Sequence, residues 1–88
     1  MNNIIIYTKA YCPYCVRAKA LLKHKNVEFT EFDIGQQPEL RNEMIDKSNG
    51  SYTVPQIFIG GKHIGGCDEM MALEAQGRLD LLLNELVS

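Results

Sequence analysis

Two cysteines three positions apart, Cys12 and Cys15 in "TKAYCPYCVRAKALL" over residues 8–22, are the densest chemistry in this sequence. A C-x-x-C pair can hold part of a metal site, form a permanent bridge, or open and close as a redox couple. Each use makes demands on the rest of the chain. Structural zinc needs four ligands, and Cys12, Cys15 and Cys67 with His24 or His63 reach that number. Neither a second C-x-x-C nor an H-x-x-x-H supplies the paired spacing of such a site, so the two histidines read as ordinary surface or capping residues. Three cysteines are an odd count, which excludes a fully paired disulfide framework.

The opening "MNNIIIYTKAYC" lacks a basic region, and its apolar run is too short for a signal segment or a membrane span. A cytoplasmic, reducing setting is therefore expected. There, a C-x-x-C beside a strand–helix–strand pattern serves redox chemistry. If a helix starts at Pro13, Cys12 lies at its N-terminus, where free backbone N–H groups and the helix dipole favour a thiolate. Pro13 suits the first helical position because its missing N–H has no partner to lose there. Lys9 and Arg17 add positive charge. Cys15, one turn further in, stays an ordinary thiol. The asymmetry assigns roles: Cys12 attacks a disulfide sulfur and Cys15 resolves the mixed disulfide.

The elements that must position this pair follow from hydrophobic periodicity. "NIIIYT" is a short β-branched run that reads as a buried strand, and "PYCVRAKALLKHK" places Cys15, Ala18 and Leu22 on one helical face. "VEFTEFDI" suggests a second strand closed by Gly35, and a second helix is expected from Pro38 to about Lys47, with Leu40, Met44 and Ile45 on one face. "PQIFIGGKHIGG" reads as two strands joined through Gly60 and Gly61, since glycine supplies the positive φ of a tight hairpin. Asp68 is expected to cap a helix over "EMMALEAQ", and after Gly77 a short further helix carries Leu79, Leu82, Leu83 and Leu86 as core. The order β-α-β-α-β-β-α implies right-handed crossovers onto a four-stranded mixed sheet flanked by helices, an α/β layer structure in one domain over residues 1–88.

With 45% hydrophobic and 23% charged residues, the chain has the balance of a folded globule rather than a disordered segment. A net charge of −2 gives no reason to expect nucleic acid or a membrane as partner. The charge is unevenly placed. Every basic residue before Val27 precedes the first acid, Glu28, so the cysteine pair sits in the cationic part of the chain.

Taken together, "CPYC", "YTVPQIFI" and "IGGCDE", in this order and spacing, resemble the dithiol glutaredoxins, nearest to the short bacterial type, over almost the whole chain. The resemblance implies a thioredoxin-like fold and reduction of protein–glutathione mixed disulfides and some protein disulfides. Glutathione is then a co-substrate, no cofactor is permanently bound, and the protein is expected to be a monomer. It further implies a cis peptide bond before Pro55, with Thr53 and Val54 beside it and the Val54 backbone pairing with the cysteinyl part of glutathione. Gly66, Cys67 and Asp68 are implied to receive the γ-glutamyl end, Asp68 taking its amino group. Lys9 and Arg41 are implied to meet the glycyl carboxylate, and Tyr14 to line the groove.

On its own terms Cys67 reads as an inert small apolar side chain. Two neighbouring readings are a pair of chains sharing a [2Fe–2S] cluster through Cys12 and glutathione, and a glutaredoxin-like electron donor served by thioredoxin reductase. Pro13 speaks against the cluster, since resembling proteins with proline there act mostly as reductases.

Overall fold

A computed structural model of the protein describes residues 3–86. The chain runs β1 (Ile4–Thr8), α1 (Pro13–His24), β2 (Thr30–Asp33), α2 (Glu39–Lys47), β3 (Gln56–Ile59), β4 (Lys62–Gly65), α3 (Cys67–Ala75) and α4 (Leu79–Glu85). The strands form one mixed sheet in the order β2-β1-β3-β4. β1 pairs parallel to β2 across α1 and antiparallel to β3, and β3 pairs antiparallel to β4.

Strand alternation builds two cores. Ile4 and Ile6 of β1 and Ile57 and Ile59 of β3 face Ala18 and Leu22 of α1, Met70 of α3, and Leu79 and Leu83 of α4. The intervening Tyr7 and Phe58 turn to the other face, where Met44 of α2 and Ile34 cover them. Their rings meet edge to face, with centroids 5.8 Å apart. The leucine stripe of α4 is thus core, as its spacing predicts.

The second strand is shorter than expected. Asn26, at φ 59°, ends α1, with its N–H donating to Lys23 O and the Val27 N–H donating to Leu22 O. This paired return of N–H groups to the last carbonyls is a Schellman closure. It takes Val27 into the helix exit, so pairing with β1 begins only at Thr30. The second helix likewise starts one residue after Pro38, which occupies its N-cap position. Gly60 and Gly61, at φ 60° and 82°, close the β3–β4 hairpin in the manner their sequence predicts. Asp68 is not the cap of α3. Gly66 holds that position, and its N–H donates to Glu69 Oε1 at 2.6 Å. This is the return half of a capping box, from the third helical side chain to the N-cap N–H; glycine has no side chain to accept the bond that an Asp68 cap was expected to take.

Candidate functional site

Cys12 is the N-cap of α1 in extended conformation, and Pro13 is the first helical residue. The preceding Tyr11 sits at φ 59° and is fully exposed, so the chain turns sharply into the helix at this point. The Cys15 N–H donates to Cys12 Sγ at 3.2 Å, giving the sulfur the hydrogen bond that an N-cap side chain ordinarily takes. The same sulfur lies 3.9 Å from the Val54 carbonyl oxygen, so Cys12 stands between a helix terminus and the loop before β3.

Cys15 is 1% exposed, and no disulfide joins it to Cys12 in this structure. Burial pushes its thiol up to about 12, and hydrogen bonding with the Cys12 sulfur pushes the same way. The Lys9 backbone N–H and the Lys19 charge partly offset both. Two thiols three residues apart therefore differ in kind: one half-buried at a helix terminus, one enclosed and held protonated. The third cysteine, Cys67, is the first residue of α3 and 3% exposed. Burial raises its thiol as well, against a downward pull from Arg17. Arg17 itself lies over the Tyr14 ring, 5.8 Å from the centroid.

A cleft of about 260 Å³ opens beside the pair. Thr53, Val54 and Pro55 form one wall, and Gly66, Cys67 and Asp68 at the start of α3 form the other, with Tyr14 between them. The Val54–Pro55 peptide bond is cis. Seven of the residues singled out in the sequence thus converge on one hollow although they come from three separate segments of the chain. Lys9 and Arg41 do not line it. Both are exposed, Lys9 between β1 and α1 and Arg41 on α2. Glu69 does line the cleft and was not among the sequence candidates. Its signal was the glutamate three residues after a glycine at a helix start. Among the described residues, no group of three or more His, Cys, Asp or Glu side chains converges to hold a metal ion.

A helix-terminal thiol, a buried partner thiol one turn away and a cleft with exposed backbone can perform thiol–disulfide exchange on a ligand of peptide size. The glutaredoxin family model matches residues 4–64, which include both cysteines and the Thr53–Pro55 loop. The chain belongs to the glutaredoxin family. Its activity is that family's oxidoreductase chemistry, and its fold is the thioredoxin fold of the family's solved structures.

Among curated relatives, it is 58% identical to glutaredoxin 3 of Escherichia coli over 83 residues, covering 94% of this chain and 99% of the relative. It is 55% identical to a glutaredoxin of Pseudomonas aeruginosa over 84 residues, covering 96% and 99%. Among solved structures, the buckwheat glutaredoxin–glutathione complex superposes with a TM-score of 0.87 at 34% identity, covering 96% of this chain and 78% of that one. The solution structure of a glutaredoxin from Brucella melitensis gives a TM-score of 0.80 at 57% identity, covering 94% and 89%. No helix among the described residues is long and apolar enough to cross a membrane.

Proposed function

We propose that this glutaredoxin, a single domain over the whole chain, reduces protein–glutathione mixed disulfides and some protein disulfides, with glutathione seated in the cleft beside Cys12. In the first reaction the Cys12 thiolate attacks the glutathione sulfur of the mixed disulfide. A Cys12–glutathione disulfide forms and the client thiolate leaves, taking a proton from solvent. A second glutathione thiolate then attacks the bound glutathione sulfur, which releases glutathione disulfide and restores the Cys12 thiolate. With a protein disulfide, Cys12 forms a mixed disulfide with the client. Cys15 then attacks Cys12, and the products are the Cys12–Cys15 disulfide and the reduced client.

Part of the upward push on Cys15 comes from the Cys12 sulfur itself. Once Cys12 is tied in a mixed disulfide it carries no charge, and that part of the push is lost at the step where Cys15 must ionise.

In the cleft, the Val54 backbone pairs with the cysteinyl part of glutathione as an added strand would. Gly66 and Cys67 offer the start of α3 to the γ-glutamyl carboxylate, Asp68 takes the γ-glutamyl ammonium, and Tyr14, Thr53 and Pro55 line the groove. Lys9 and Arg41, standing outside the cleft, meet the glycyl carboxylate as it projects towards solvent. The co-crystallised buckwheat protein supports glutathione as the ligand. The cytoplasm and a monomeric state complete the reading.

The observation that carries it is the placement of Cys12 Sγ, which accepts the Cys15 N–H at 3.2 Å and faces the Val54 carbonyl at the cleft. Mass spectrometry after incubation with oxidised glutathione tests it. Cys15→Ser should hold one glutathione, on Cys12, while the wild type passes on to the Cys12–Cys15 disulfide. An adduct found mainly on Cys67 would overturn the assignment.

A further inference from the structure

Gln56 opens β3 and is 4% exposed, yet it carries an amide in a buried strand otherwise made of Ile and Phe. Both ends of that amide are occupied. Its Nε2 donates to Thr53 O at 3.0 Å and to Thr53 Oγ1 at 3.3 Å, and its Oε1 lies 2.6 Å from His63 Nε2. A backbone carbonyl can only accept, so the contact with Thr53 O determines which end of the amide carries the nitrogen. The Oε1 end must then accept from His63, whose Nε2 carries a hydrogen in this arrangement. The imidazole is seated in turn on the Phe58 ring, with centroids 4.9 Å apart.

These contacts make one continuous tie from β4 through β3 to the loop before it. The tie ends at Thr53, and the next residue, Val54, presents its carbonyl 3.9 Å from Cys12 Sγ. The 53–55 loop has no strand or helix of its own to hold it. An apolar side chain would fill the volume of Gln56 as well, but it could not hold the Thr53 main chain.

We propose that Gln56 is a positioning residue for the active-site cleft: its amide ties the Thr53 backbone so that the Val54 peptide unit stands opposite Cys12, and His63 orients that amide. The inference rests on the reading of Val54 as the seat for the cysteinyl part of glutathione. Gln56 does not itself line the cleft and bonds to its lining only through Thr53, and it bonds to neither cysteine, so its effect belongs to ligand binding and not to the reactivity of Cys12.

Two variants test this. Gln56→Met keeps the length of the side chain and removes all three hydrogen bonds. His63→Phe keeps the stack on Phe58 and removes only the donor to Oε1. KM for a glutathionylated peptide should rise about tenfold in the first and about threefold in the second, with kcat within about twofold of wild type. The rate at which iodoacetamide alkylates Cys12 should stay within about twofold in both, because the α1 terminus is untouched. In a Cys15→Ser background, loading glutathione onto Cys12 should shift the Val54 amide resonance strongly, and Gln56→Met should diminish that shift. An unchanged KM in Gln56→Met overturns the proposal, whatever its melting temperature, since a purely structural role would lower stability alone. Should that variant fail to fold, the exposed His63→Phe decides on the same readouts. If the Val54 amide does not respond even with Gln56 intact, the glutathione seat itself is wrong and this inference falls with it. A Val54 response with normal KM in both variants would overturn the role of Gln56 alone.

Discussion

Asp68→Asn separates ligand binding from helix capping at the cleft. Asp68 is exposed, is the second residue of α3, and lines the cleft. The cap of α3 is Gly66, whose N–H is held by Glu69 Oε1, so replacing the Asp68 carboxylate by an amide breaks no capping bond. What is lost to stability is one negative charge in the first turn. For an exposed site that lies at the low end of the helix-dipole range, about 0.3–0.5 kcal/mol. In a domain of this size it lowers Tm by about 1–4 °C. Loss of a charge-assisted hydrogen bond to the γ-glutamyl ammonium, in a cleft open to water, should cost about 1–2 kcal/mol, on the order of tenfold in KM. The effect should shrink as salt is raised, because the pair is screened. Steady-state reduction of a glutathionylated peptide at two ionic strengths, alongside thermal denaturation, reads both quantities. Glu69→Ala is the contrasting variant: it removes the bond to the Gly66 N–H and should lower Tm by about 4–8 °C. If Asp68→Asn keeps the wild-type KM at low salt, Asp68 does not bind the ammonium and the reasoning fails.

Cys15→Ser should retain reduction of glutathione mixed disulfides, which needs Cys12 alone, and lose dithiol reduction of protein disulfides; equal loss of both activities would contradict the assigned roles. Because Cys15 is raised from about 9 to about 12 in the folded chain, the stability tied to its protonated form is fully present below about pH 9 and is lost as pH rises towards 12. Thermal denaturation between pH 8 and 11, a window set by that shift, should therefore show a shallower alkaline decline in Cys15→Ala than in the wild type. Gly65→Ala places a Cβ 2.8 Å from Glu69 Oε1 at a residue whose φ is +116°, so a loss of about 1–3 kcal/mol is expected in urea denaturation, and an unaltered midpoint would show that the strand end relaxes freely.

What the sequence determined by itself was local. C-P-Y-C put a proline where a helix can begin without losing a donor, and that placed Cys12 at the terminus. Gly60 and Gly61 could be read as a hairpin because few other residues tolerate two successive positive φ angles. The alternation in "IIIYT" and "QIFI" carried the two-faced sheet, and the leucine spacing of α4 carried its burial, since period alone decides which side chains share a face. Tertiary structure decided the rest. The exit of α1 through Asn26 and Val27 shortened β2, because the backbone bonds of a helix end competed with strand pairing. Helix α3 began two residues earlier than expected, with Gly66 as its cap, which put Asp68 inside the first turn and left Glu69 to hold the Gly66 N–H. The gathering of Tyr14, Val54 and Asp68 into one cleft, with Lys9 and Arg41 outside its lining, depends on how three segments pack. The difference between Cys12 and Cys15 was legible from their places on the helix, but not its size: Cys15 was expected to stay an ordinary thiol, and its near-complete enclosure by the packed fold pushes it up to about 12.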